Sequence, residues 1–321
     1  MLGWNRNGWI GVDLGERAIK VAQLRRVGDG LHLSATAMSE RGRWQDSQPA
    51  DDLRAANALA QHLRGSRAAA TLSMSTCRIE PTSDEGTEDT GRCYDAWAAG
   101  PESAYTLSTP AERVESAVNE MTRVGLRCEV IDGPPLAIAR VLQLTPGYRA
   151  DELLLAIDWG ETAVTVVAAK GGLAQYARRL NLGGFAEVRQ QVAESLGFSG
   201  AETERLLAQL GGANNALPED ESRLVADVLR SSILPVAQEI QRSLEHLGGK
   251  LRTKPPTRCF LLGAGGAVAG LPATLGSLIG ITAEPWTASG LSRDDSLADT
   301  PDCLLAQAIA LSALAWEASL A

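Results

Sequence analysis

The 321 residues carry 30 Lys and Arg against 39 Asp and Glu, a formal net charge of −9, and 45% are hydrophobic. That length is too great for one core and suits two lobes, and the acidic balance argues against a nucleic-acid binder, which needs clustered cations to neutralise phosphates. No apolar run approaches the ~18 residues of a membrane span, and the opening stretch MLGWNRNGWIGVDLG lacks a signal-peptide core, so the cytoplasm is the expected location. The five cysteines are scattered without a CxxC pair, which argues against zinc or a disulfide framework.

In chain order, the first predicted strand covers residues 9–12 and runs into Asp13-Leu14-Gly15. A β-rich run at 18–24 follows, then the turn signal Gly28-Asp29-Gly30 and a third strand at 31–38. Residues 80–92 (EPTSDEGTEDTGR) have the polar composition of a loop, and 94–98 and 104–107 read as strands. Thr109-Pro110-Ala111-Glu112 predicts a helix start, with Thr as N-cap, Pro in the first helical position and Glu closing a capping box. Val114, Ala117, Val118, Met121 and Val124 follow at helical spacing, ended by Gly125.

The opening pattern then recurs. Residues 153–157 lead into Asp158-Trp159-Gly160, followed by strands at 163–169 and 173–180 around Gly171-Gly172. DLGERAIKV (13–21) and DWGETAVTV (158–166) agree at five of nine positions, so each half opens with a meander whose first turn is Asp-x-Gly. Chance similarity of two apolar hairpins is the plainer alternative. Further on, Phe185, Val188, Val192 and Leu196 form an apolar stripe closed by Gly197, and 211–220 read as a loop. A long helix is predicted over 223–247, kinked at Pro235 and stopped by Gly248-Gly249. A strand at 259–262 enters Gly263-Ala264-Gly265-Gly266, and CLLAQAIALSALAW (303–316) reads as a buried helix.

A tight Asp-x-Gly turn at a strand end brings backbone N–H groups against a phosphate, because Gly permits close approach. Two such turns facing each other would grip a polyphosphate, with Asp13 and Asp158 beside a bridging Mg²⁺, mostly through its waters. Lys20, in the apolar run AIKVA, would reach the phosphates as a point charge, or else is a solvated lysine on an edge strand. The glycine-rich turn at 263–266 fails the dinucleotide pattern, since Val268 stands where the third glycine belongs, but it would let an adenine ring lie on backbone.

Together these motifs resemble those of the actin, Hsp70 and sugar-kinase class. Asp13-x-Gly15 with Lys20 is similar to the first phosphate motif of actin-like proteins, Asp158-x-Gly160 to the second, and Leu262-Gly263-Ala264-Gly265-Gly266 to the adenosine motif. Ala201-Glu202-x-x-Arg205 resembles the bacterial Ala-Glu-x-x-Lys motif, whose Glu and Lys approach the ribose and base. More narrowly, residues 109–132, 180–202 and 304–317 resemble the PilM family, FtsA-related proteins of type IV pilus assembly. The resemblance implies an α/β, duplicated, ribonuclease H-like fold. Its first lobe would span 1–150 with an insert at about 76–131. Its second would span 151–321 with a helical part at about 185–255, and the closing helix 303–317 would pack back toward the first lobe.

ATP with Mg²⁺ would sit between the lobes on Asp13, Gly15, Lys20, Asp158, Gly160, Glu202, Arg205, Gly263, Gly265 and Gly266, with Asp13 and Asp158 serving the metal. The implied role is a cytoplasmic scaffold of type IV pilus or type II secretion assembly at the inner membrane. Its partner would be the cytoplasmic tail of a PilN-like membrane protein, held between the first lobe and the insert, with homo-oligomers or filaments also open to it. Three departures from the family argue for weak or absent ATPase and no catalytic residue. Glu16 replaces a small hydroxyl residue, Pro134 falls where a water-orienting Gln or Glu stands, and the insert is short near 80–92. The alternative is a sugar- or acetate-kinase-like phosphotransferase, with Asp132 as candidate base. A division protein of the FtsA type would need a C-terminal amphipathic membrane helix, for which the tail AWEASLA leaves no room.

Overall fold

The computed structural model describes residues 7–41, 63–82, 91–100, 103–211, 219–251, 254–294, 297 and 300–317. The expected loops at 80–92 and 211–220 lie largely outside them. Among the described residues the strands form three sheets.

The first sheet is built on β1 (Asn7–Leu14), whose side chains are buried on both faces, as suits a central strand covered from both sides. It pairs antiparallel with β2 (Ala18–Val27), which pairs with β3 (Gly30–Glu40). On its other edge β1 runs parallel to β4 (Arg67–Leu72), followed by β8 (Arg127–Asp132). The second sheet repeats this plan. Strands β9 (Leu154–Trp159), β10 (Val164–Lys170) and β11 (Leu173–Arg179) form the meander, and β12 (Arg258–Leu262) and β13 (Thr282–Pro285) add in parallel beside β9. The register repeats as well, with Asp13 opposite Lys20 and Asp158 opposite Thr165. The shared nine-residue pattern is therefore the same structural unit used twice. A short strand of the second half, β14 (Ser292–Arg293), completes the outer edge of the first sheet beside β3.

A third sheet, β5 (Arg78–Pro81), β7 (Ser103–Pro110) and β6 (Arg92–Gly100) in spatial order, lies between β4 and β8 in sequence. Helix α1 (Ala111–Arg123) follows it. Because β8 pairs with β4, it belongs to the main sheet rather than to the insert. Thr109 does not cap α1: β7 continues through it, its hydroxyl donates to the Thr76 carbonyl, and Pro110 stands at the N-cap without a side-chain bond. The apolar stripe of α1 faces the first sheet, where Ala117 and Met121 pack with Ile10 and Val12.

Helix α2 (Pro134–Gln143) follows β8. Helices α3 (Phe185–Leu196), α4 (Gly200–Gly211) and α5 (Glu219–Leu251) follow β11. Helix α5 keeps Pro235 in its interior and runs through Gly248-Gly249, where the sequence pattern predicts a stop. A Gly costs a helix only ~1 kcal/mol, and the buried Leu247 just before the pair outweighs it. Beyond β12 come α6 (Gly263–Ala267), α7 (Leu271–Ile279) and finally α8 (Asp302–Glu317).

Helix α8 lies flat on β1 and β2. A Cβ at Gly11 would stand 1.9 Å from the Ala308 carbonyl oxygen, so only glycine allows this approach. Register shifts in β1 between Asn7 and Ile10, and at Gln23/Leu24 where β2 meets β3, interrupt the ladders there. Ser312 of α8 serves both places, its hydroxyl accepting from the Leu24 N–H at 2.8 Å and donating to the Trp9 carbonyl at 2.6 Å. Among the described residues no helix is long and apolar enough to cross a membrane.

Candidate functional site

The C-terminal ends of β1 and β9 face each other across a cavity of about 300 Å³. Six of the ten residues singled out from the sequence line it: Asp13, Gly15, Lys20, Asp158, Gly160 and Gly263. Glu202, Arg205, Gly265 and Gly266 do not. Glu202 accepts from the backbone N–H and hydroxyl of Ser199, at 2.7 and 2.6 Å, and caps its own helix α4; Arg205 is exposed and reaches the Ala201 carbonyl. The same helix presents Glu204 and Leu207 to the cavity instead. The glycine-rich segment is helical in α6, with Ala264 and Ala267 toward the cavity beside Gly263. Gly265 is small because the ring of Trp159 lies on it, a Cβ there falling 2.8 Å from the Trp159 Cβ.

Lys20 is on β2, an interior strand, and not on a solvated edge. Its Nζ lies 2.7 Å from the buried Asp13 carboxylate. Burial works against the lysine charge, but Asp13 and, further off, Asp158 outweigh it and raise the Lys20 pKa. Burial pushes the Asp158 pKa up to about 6, with Asp13 adding to the shift and Lys20 and the Gln307 amide opposing it. Gln307, from α8, donates to the Asp158 carboxylate at 3.0 Å.

Glu16 accepts hydrogen bonds from the hydroxyls of Ser75, in the first lobe, and Thr162, in the second. Arg17 reaches across to Glu204 at 2.8 Å, and Arg189 pairs with Glu161. The cavity wall thus carries six carboxylates (13, 16, 40, 158, 161 and 204) against three cations, Arg17, Lys20 and Arg189. Pro134 lines the wall without a side-chain donor. Asp132 is buried outside the cavity against Arg140 at 2.8 Å, so it is not placed as a kinase base. Burial raises its pKa and Arg140 opposes the rise.

A second cavity, about 130 Å³, lies between the first sheet and the insert, with Leu72, Leu107, Val114 and Ile131 on its walls and Asp95 and Asp132 beside them. The insert also rests on the second lobe. Trp97 donates its indole N–H to the Ala174 carbonyl at 2.9 Å, and Tyr105 meets Tyr176 edge to face.

No protein-family model and no curated protein sequence matches the chain. Among solved structures, a chain of the PilM–PilN type IV pilus biogenesis complex is similar over 97% of this chain and 99% of its own, at 18% identity and a TM-score of 0.77. The fold is actin-like. EutJ, an ethanolamine utilization protein from Carboxydothermus hydrogenoformans, shares it over 97% of this chain and 92% of its own, at 15% identity and a TM-score of 0.58. Component A of the Acidaminococcus fermentans (R)-2-hydroxyglutaryl-CoA dehydratase does so over 98% and 99%, at 13% identity and 0.55. The actin-like fold explains why the two Asp-x-Gly turns meet: each ends the first strand of a duplicated sheet, and the sheets face each other there.

Proposed function

We propose that this chain is a cytoplasmic scaffold of type IV pilus or type II secretion assembly, which docks the cytoplasmic tail of a PilN-like inner-membrane protein. The observation that carries this reading is the end-to-end likeness to a chain of the PilM–PilN complex, at a TM-score of 0.77 against 0.58 for EutJ. The cavity between first lobe and insert supports it. Its apolar walls suit a few anchoring side chains of a short peptide, and the exposed Asp95 suits a positive charge on it.

In this reading the cleft between the lobes is a nucleotide site with little or no turnover. One structure with this fold, an activator of a Clostridium difficile dehydratase, is described with bound ADPNP (12% identity, TM-score 0.52). Here Phe185, Leu207 and Ala267 supply apolar wall against which a base can lie. Asp158 and the Gln307 side-chain oxygen, buried without a hydrogen-bond partner, present acceptors that fit a hydrated Mg²⁺. Asp13 is committed to Lys20, so Asp158 is the better placed of the two carboxylates for the metal. Pro134 holds no water for attack, and positioning of that water is most of what a phosphoryl-transfer site supplies.

The docking test uses a peptide copied from the N-terminal cytoplasmic tail of a PilN-like protein of the same organism. Fluorescence anisotropy is expected to give micromolar affinity, weakened at least tenfold by Val114→Asp. Equal binding by that variant, or no binding by the parent, refutes the proposal.

A further inference from the structure

Glu16 stands in the turn between β1 and β2, yet its carboxylate is held by hydroxyls of both lobes, Ser75 on one side and Thr162 on the other. Thr162 lines the cavity beside the second turn, where an oxyanion bound to the cleft would need its hydroxyl. The cations of the wall are committed as well: Lys20 to Asp13, Arg17 to Glu204 and Arg189 to Glu161.

We propose that Glu16 is a built-in substitute for a terminal phosphate, so that the cleft admits a nucleoside diphosphate and turns away the triphosphate. The inference rests on the reading of the cleft as a nucleotide site. Glu16 lines the cavity one residue after Gly15, and its partner Thr162 lies two residues after Gly160, so the carboxylate stands at both Asp-x-Gly turns. A nucleotide whose phosphates are gripped by the two turns would bring its last phosphate against the carboxylate.

Two unit charges ~5 Å apart at an effective dielectric near 20 repel enough to weaken binding about a hundredfold. No uncommitted cation on the wall offsets this. In place, Glu16 keeps both hydroxyls as donors to its carboxylate. Its two bonds join the lobes directly, so the closed cleft does not depend on a triphosphate. A scaffold built this way holds its partner without a cycle of ATP loading and hydrolysis.

Calorimetry of the full chain with Mg-ADP and Mg-ATP tests the proposal on the parent, Glu16→Ser and Glu16→Gln. The parent is expected to bind ADP at least tenfold more tightly than ATP. Glu16→Ser should tighten ATP about a hundredfold and ADP, whose last phosphate stays further off, only about tenfold. Glu16→Gln keeps the size and one acceptor without the charge and should lie between them, so it carries the comparison if the serine variant melts early. Equal affinity of the parent for both nucleotides, or equal gains for both in the variants, overturns the role of Glu16 and leaves the nucleotide site standing. No heat from either nucleotide with any of the three proteins overturns the site and the role together.

Discussion

Replacing Ser312 by alanine removes one oxygen from the centre of the molecule and should cost far more than its size implies. The hydroxyl takes the Leu24 N–H and gives to the Trp9 carbonyl, at two places where shifted register interrupts the ladders. Leu24 is 0% exposed and Trp9 8%, so water does not readily replace the lost partner. Each buried polar group left unpaired costs about 1–3 kcal/mol, and the carbonyl's second lone-pair site puts it near the low end. The pair therefore predicts a loss of about 2–4 kcal/mol. Little of this comes from a cavity, since serine and alanine differ by a single atom. Amide hydrogen exchange is the suitable assay, because a two-lobed chain need not unfold in one step. The Leu24 amide should exchange about 30-fold or more faster in Ser312→Ala, while amides of β12 in the second sheet change little. Unchanged exchange at Leu24 would refute the argument that Ser312 satisfies the bulged strands.

Asp158 has a folded pKa of about 6 against an ordinary value of 3.8. The folded state therefore binds the extra proton, and ionisation of Asp158 withdraws stability as pH rises from about 4 through 6. Asp158→Asn should thus stabilise the nucleotide-free protein by about 3 kcal/mol at pH 8 and by far less at pH 4, in paired thermal melts; a stabilisation independent of pH would contradict this. Trp97→Phe leaves the Ala174 carbonyl without its donor and should cost about 1–3 kcal/mol, seen as faster proteolysis of the insert at unchanged helix content by circular dichroism. Steady-state ATPase of the purified chain should be slow or undetectable, and turnover of several ATP per second, abolished by Asp13→Ala, would contradict the account of Pro134.

The duplicated meander was legible because continuous apolar runs and Asp-x-Gly turns are local features, repeated with the same spacing. Six cleft residues followed from those turns and from the start of α6. Gly265 was misread because a glycine that admits a ligand and one that admits the chain's own tryptophan look alike in one dimension. Glu202 belongs to a locally readable signal, since Ser199-x-x-Glu202 is a capping box and spends the carboxylate on the helix. Arg17 with Glu204, 187 residues apart, leaves no local trace, because only the closure of the lobes brings them together. Gln307 was detectable in principle, as a lone amide in an apolar helix has to find a polar partner.

The seat of α8 on β1 bears on how the protein is made. Gly8 and Gly11 are spaced for a helix that the ribosome adds some 300 residues later. At 5–20 residues per second the wait is roughly 15–60 s. During it the first sheet has one apolar face without its native cover and two interrupted ladders without Ser312. The nascent first lobe is therefore a natural client for a chaperone, and release from it should coincide with completion of the last helix rather than with completion of the lobe's own strands.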